Sequence, residues 1–177
     1  MGDSRPHRTD RPRRAAARSP IESTHDHVLE QLTSTQRHEG FSLIILSHDM
    51  GVIAETCDRV AVMYAGHVVE LGTVRDVFNR PAHPYTLGLI NAIPRIGDKG
   101  KAVSIPGHPP ADLGLEPGCR FALRCPFRED ACRQPVGWRQ LTDGHGERCL
   151  FPDRRERLSV AARLPATWEA VAERLQT

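Results

Sequence analysis

Phe41-Ser42-Leu43-Ile44-Ile45-Leu46-Ser47-His48-Asp49-Met50-Gly51-Val52-Ile53-Ala54-Glu55 changes character halfway along. Its first seven residues are short, continuous and mostly apolar, with two isoleucines at the centre. That is the pattern of a strand covered on both faces in a parallel sheet. Asp49 can then cap a helix through residues 50–55. The spacing puts His48 at the C-terminal end of the strand, where open α/β sheets bind ligands. On position alone, a hydrogen-bonded histidine that steadies the strand-to-helix turn is the favoured reading.

Outward from this stretch the pattern stays mixed. Upstream, Ser23 or Thr24 can cap a helix whose apolar residues Val28, Leu29 and Leu32 share a side, with Gly40 ending it. Downstream, Asp58-Arg59 leads into a second apolar strand, Val60 to Tyr64. Ala65-Gly66 supplies a hairpin turn to His67-Val68-Val69-Glu70-Leu71, and Gly72-Thr73 starts a short helix with Val74, Val77 and Phe78. Pro81, Pro84 and Pro94 bracket another helix, Tyr85 to Ala92, and Thr167 can cap a terminal one from Trp168 to Leu175.

A chain of 177 residues holds one compact domain with an extension, and 39% hydrophobic and 5% aromatic residues point to a small core. Arg5 to Arg18 carries six arginines and almost nothing apolar, so it reads as a disordered basic segment. The net charge of +2 is too small to imply a nucleic-acid partner. No apolar run approaches the length of a membrane span, and the basic N-terminus lacks the apolar core of a secretory signal. Pro6 breaks the myristoylation pattern that Met1-Gly2 would start. A cytoplasmic location is the expectation.

Leu43 through Gly66, taken whole, closely resembles the switch-histidine region of ABC-transporter ATPases. Val69-Glu70-Leu71-Gly72 and His83-Pro84-Tyr85-Thr86 are similar to the continuation of that pattern in the ATP-binding subunits of oligopeptide and dipeptide importers. The resemblance covers roughly residues 28–152. It implies an α/β fold, the C-terminal portion of a P-loop ABC ATPase followed by a loop-rich, cysteine-containing extension. It also implies that His48 hydrogen-bonds the γ-phosphate of ATP bound with Mg2+. An imidazole suits that role because one nitrogen can donate to a phosphoryl oxygen while the other is held in place.

The remaining nucleotide motifs of that family are missing from the sequence. Gly97-Asp98-Lys99-Gly100-Lys101-Ala102 has the wrong spacing for a phosphate-binding loop and no hydroxyl for magnesium. Neither the Leu-Ser-Gly-Gly-Gln signature nor an apolar strand ending in Asp-Glu is found. A truncated subunit without autonomous ATPase activity is expected, since those parts supply most of the electrostatic stabilisation of phosphoryl transfer.

Cys119, Cys125, Cys132 and Cys149 are spaced C-x5-C-x6-C-x16-C. Spacing alone leaves zinc, an iron–sulfur cluster and disulfides open. The peptide-importer resemblance implies that these four cysteines hold a [4Fe–4S] cluster, as in some members, with Zn2+ as the alternative. Arg120, Arg124, Arg128 and Arg133 either offset the charge of such a group or form a solvated face. His145 reads as a surface-loop histidine and Cys57 as a small buried apolar residue.

The expected organisation is therefore a basic segment over 1–22, the ATPase-derived part over 23–94, the cysteine extension over 95–155 and a terminal helix over 156–177. The implied partners are membrane permease subunits, a second ATP-binding subunit and, indirectly, a peptide-binding protein. The implied assembly is peripheral on the inner face of the plasma membrane. The rival expectations are a metal-binding interaction module without nucleotide chemistry and a non-functional remnant.

Overall fold

The computed structural model describes residues 20–93, 104–110, 117–152 and 155–176, with side chains described from His27 onward. The basic stretch Arg5 to Arg18 and the rejected loop Gly97 to Ala102 lie outside the described residues. The chain divides into two compact units, residues 1–46 and 47–177.

In the first unit, α1 runs Pro20–Glu39, beginning before the Ser23 or Thr24 cap that the sequence suggested. Proline suits a first helical position because its φ is already helical and its missing N–H has no partner there anyway. Gly40, at φ 72°, ends the helix, and its amide donates to the Gln36 carbonyl at 2.9 Å. Val28 and Leu32 on the predicted apolar side are 51% and 41% exposed.

The buried parallel strand expected over Phe41 to Ser47 does not form. The stretch joins no sheet among the described residues, and Ile44 and Leu46 are 95% and 94% exposed. A strand is completed only by the N–H and C=O groups of a neighbour. The four described strands pair only with one another, and neither edge strand of their sheet takes this stretch as a neighbour.

The second unit opens with α2, Met50–Thr56, capped as predicted: Asp49 Oδ1 accepts from the Gly51 and Val52 amides at 2.7 and 3.3 Å. β1 (Arg59–Tyr64) and β2 (His67–Thr73) pair antiparallel, closed by a two-residue turn at Ala65 (φ 47°) and Gly66 (φ 80°). Two positive φ values match the right-handed twist of the flanking strands. Val60, Val62 and Tyr64 point inward and alternate with exposed residues, so β1 is covered on one face. α3 (Val74–Asn79) starts at Thr73, whose hydroxyl accepts from the Asp76 amide at 3.1 Å. α4 (Pro84–Ala92) starts at His83.

β3 (Arg139–Thr142) and β4 (His145–Glu147) form a second hairpin, and β4 pairs antiparallel with β2. The result is one four-stranded sheet in the order β1-β2-β4-β3, antiparallel throughout. The α/β expectation is met as a mixed helix and sheet structure, but its sheet is antiparallel where a parallel one was predicted. Asp143-Gly144 was the available signal for the second hairpin, with Gly144 at φ 76°.

Two helices close the unit, α5 (Arg155–Ala161) and α6 (Pro165–Arg174), where the sequence suggested one beginning at Trp168. Thr167 is not the cap. Its hydroxyl donates to the Ala161 carbonyl at 2.8 Å, and Trp168 Nε1 donates to Ala162 at 2.8 Å, so both tie α6 back to α5. Leu158, Ala162, Trp168 and Val171 are buried. At Gly88 of α4 a Cβ would lie 2.7 Å from both Ile105 and Trp168, which is why that turn of the helix has no side chain. Among the described residues no helix is long and apolar enough to cross a membrane.

Candidate functional site

The four cysteines, up to 30 residues apart in sequence, line one small apolar cavity of about 20 Å³, with His83, Phe121 and Leu158 in its wall. Three come from one loop-rich stretch that holds itself together. The Cys119 amide donates to the Cys132 carbonyl at 2.8 Å, and two short 3₁₀ turns, Ala122–Arg124 and Asp130–Arg133, shape the rest. Cys149 follows β4. None of the five cysteines is in a disulfide.

Burial governs the state of these thiols. It pushes Cys149 up to about 12 and Cys125 higher still, partly opposed by the backbone N–H groups of Phe127 at Cys125 and of Phe151 at Cys149. Burial also raises Cys119. Neighbouring thiolates would raise one another further, so without a cation the set favours neutral thiols. Among the described residues no three His, Cys, Asp or Glu side chains are grouped as ligands of a metal ion.

The arginines do not line this cavity. Arg124 is 8% exposed and serves as a staple: Nε and Nη2 donate to the Pro106 and Gly107 carbonyls, each at 2.8 Å. Its guanidinium lies 5.8 Å from the centre of the Tyr64 ring. Arg120 donates to the Ala65 carbonyl in the first hairpin turn. Arg133 is exposed beside Asp130.

Beside the cavity lies a polar cluster that sequence reasoning did not find. Glu70 on β2 is fully buried and accepts three hydrogen bonds, from the Ala82 amide at 2.9 Å, the His83 amide at 2.8 Å and His145 Nε2 at 2.9 Å. His145 is thus a buried strand residue, 1% exposed, and the surface-loop expectation for it fails. The only hint was a glutamate inside the apolar run of β2, where Val69 and Glu70, on opposite faces, are both buried.

His83 caps α4 through Nδ1, which accepts from the Tyr85 amide at 3.1 Å. Burial holds its imidazole down to about 4, so it is neutral, and the other nitrogen donates to the Arg148 backbone. Glu147 stands opposite Glu70, and burial followed by that carboxylate pushes it up to about 7. Among the described residues neither Glu147 oxygen has a hydrogen-bond partner.

An aromatic group packs around Phe121, which is 1% exposed. Tyr64 and Tyr85 meet it at centroid distances of 5.2 and 5.3 Å and His83 at 6.0 Å. Cys57, expected to be buried, is half-buried at the end of α2. His48 is exposed in the bend just before Asp49.

Residues 69–132 match the family model described as the oligopeptide/dipeptide transporter, C-terminal region. The dipeptide transport ATP-binding protein of Bacillus subtilis is 42% identical over 135 residues, 75% of this chain and 40% of that protein. The oligopeptide transport ATP-binding proteins of Salmonella typhimurium and Escherichia coli are each 40% identical over 126 residues, 71% of this chain and 38% and 37% of theirs. The chain spans about 40% of the length of the curated relatives it matches. It belongs to the family of oligopeptide and dipeptide transporter ATP-binding proteins, of which it carries the C-terminal region.

Proposed function

We propose that this chain acts as the C-terminal part of the ATP-binding subunit of an oligopeptide or dipeptide importer, in which ATP binding and hydrolysis drive uptake through membrane permeases. The observation that carries this is the 40–42% identity to transport ATP-binding proteins over 126–135 residues. His48 is the nucleotide-contacting residue in this proposal, donating to the γ-phosphate of ATP bound with Mg2+. The exposed position of His48 ahead of the Asp49 cap supports the assignment. The partners are permease subunits, a second ATP-binding subunit and, indirectly, a peptide-binding protein, at the cytoplasmic face of the plasma membrane.

The test is association of the full chain with a complete ATP-binding subunit, followed by sedimentation with ATP and Mg2+ and again with EDTA. Nucleotide should tighten the complex, and His48→Ala should remove roughly a ten- to hundredfold share of that gain, the worth of one hydrogen bond to a charged group. Association indifferent to nucleotide would refute the nucleotide role.

For the cysteines we propose a [4Fe–4S] cluster held by Cys119, Cys125, Cys132 and Cys149, with Zn2+ as the alternative. Four soft donors around one cavity, three of them facing backbone N–H groups, suit such a group. When bound, the cluster would tie the two parts of the pocket together and add a one-electron redox centre. About four iron and four sulfide per anaerobically purified chain, lost in Cys125→Ser, is the expected result. Zinc or no metal would refute it.

A second reading, a metal-binding interaction module without nucleotide chemistry, is favoured by one observation: the unit 47–177 builds its core around the cysteine cavity. Metal-dependent and nucleotide-independent partner binding would select it.

A further inference from the structure

The cysteine cavity is assembled from two separately held arms. Cys119, Cys125 and Cys132 lie on a stretch with its own ties: the Cys119 amide to the Cys132 carbonyl at 2.8 Å, and the Ala122 amide to Cys119 at 2.9 Å. Cys149 arrives from β4. The residue before it is pinned to β2, the Arg148 amide donating to the Val69 carbonyl at 2.8 Å. His83 and Pro84, at the start of α4, form a further piece of the wall.

Glu70 ties the β4 arm to the α4 wall through three hydrogen bonds, beside the single bond from the His83 ring to the Arg148 backbone. Its Oε1 accepts from the Ala82 amide and from His145 Nε2, and its Oε2 accepts from the His83 amide. We propose that Glu70 is a positioning residue for the cysteine cavity, fixing the Cys149 arm and the start of α4 against each other by holding His145 and the Ala82 and His83 amides at once. The proposal rests on the cavity being a ligand pocket, as set out above.

The chemistry demands a carboxylate. Three donors converge on two oxygens in a place closed to water, and only an acceptor-only group satisfies all three. In Glu70→Gln one end becomes an NH2, so whichever way the amide turns, a donor faces a donor. The three-cysteine stretch keeps its own backbone bonds in that variant. The loss should therefore fall on Cys149 and not on the other three, whereas a carboxylate that served only general stability would expose all four together.

The experiment is alkylation of the reduced, chelator-treated full chain with iodoacetamide, read at each cysteine by peptide mass spectrometry. In Glu70→Gln, Cys149 should react about tenfold faster than in the parent chain, while Cys119 and Cys125 stay within about twofold, the pattern of a local opening. A second pair covers the case in which Glu70→Gln does not fold. His145→Gln, whose amide can still donate to Glu70, should keep Cys149 protected, and His145→Leu should release it. Equal acceleration of all four cysteines in His145→Leu, or an unchanged Cys149, overturns the proposal. Iron and sulfide content of the parent chain tests the cofactor separately, because the alkylation is done on metal-free protein.

Discussion

Truncating Phe121 to alanine should be the most damaging single change in the unit 47–177. The ring is 1% exposed and meets two tyrosines at 5.2 and 5.3 Å in edge-on or tilted geometry. Removing a buried phenyl group costs about 3–5 kcal/mol when the site cannot collapse. Two aromatic pairs account for about 1–3 kcal/mol of that. Collapse is opposed here by three neighbours fixed elsewhere: Tyr64 lies in a strand, Tyr85 in the first turn of α4, and His83 is held as its cap. The assay is urea unfolding followed by fluorescence of Trp168, which is 2% exposed, with Trp138 replaced by phenylalanine to remove the more exposed emitter. At a slope of roughly 2 kcal/mol per molar urea the midpoint should fall by about 2 M with the slope unchanged. Phe121→Leu should lose about half as much. A loss below about 1 kcal/mol in Phe121→Ala would refute Phe121 as the centre of this core.

Three further outcomes are expected. Ala65→Gly should stabilise the first hairpin by about 1 kcal/mol, because alanine sits at φ 47°, whereas Gly66→Ala should destabilise by a similar amount at φ 80°, both read from thermal melts. Thr86 is fully buried and its hydroxyl has no partner among the described residues, so Thr86→Val should raise stability by about 1 kcal/mol in urea titrations, and a loss would reveal a partner for that oxygen. The Thr73 hydroxyl, and after it Arg80, holds the Asp76 carboxyl below its ordinary 3.8, so its contribution to α3 is present above that pH and disappears as the pH falls through the lower folded value. Amide resonances of Val74–Asn79 should show this fraying in the parent chain, and its persistence unchanged in Asp76→Asn would refute the cause.

Local chemistry was legible in the residues. The Asp49 cap, the Ala65-Gly66 turn, the Thr73 start of α3 and the proline-bounded α4 all depend on contacts within a few positions, which a sequence displays directly. The four cysteines could be named, but their spacing did not show that they share a cavity. Longer-range features were not legible. An apolar run such as Phe41 to Ser47 fits a buried strand equally well whether or not a partner strand is there to complete it, and here none pairs with it among the described residues.

By itself, the sequence determined the family, the caps and turns, and which side chains could serve as ligands, because these follow from residue type and near neighbours. Only the tertiary structure decided that β4 lies against β2, that Glu70 and His145 meet across 75 residues, and that Cys149 joins the other three cysteines. Strand order and cross-sheet burial come from packing between segments distant along the chain, and no local pattern of residues encodes them uniquely.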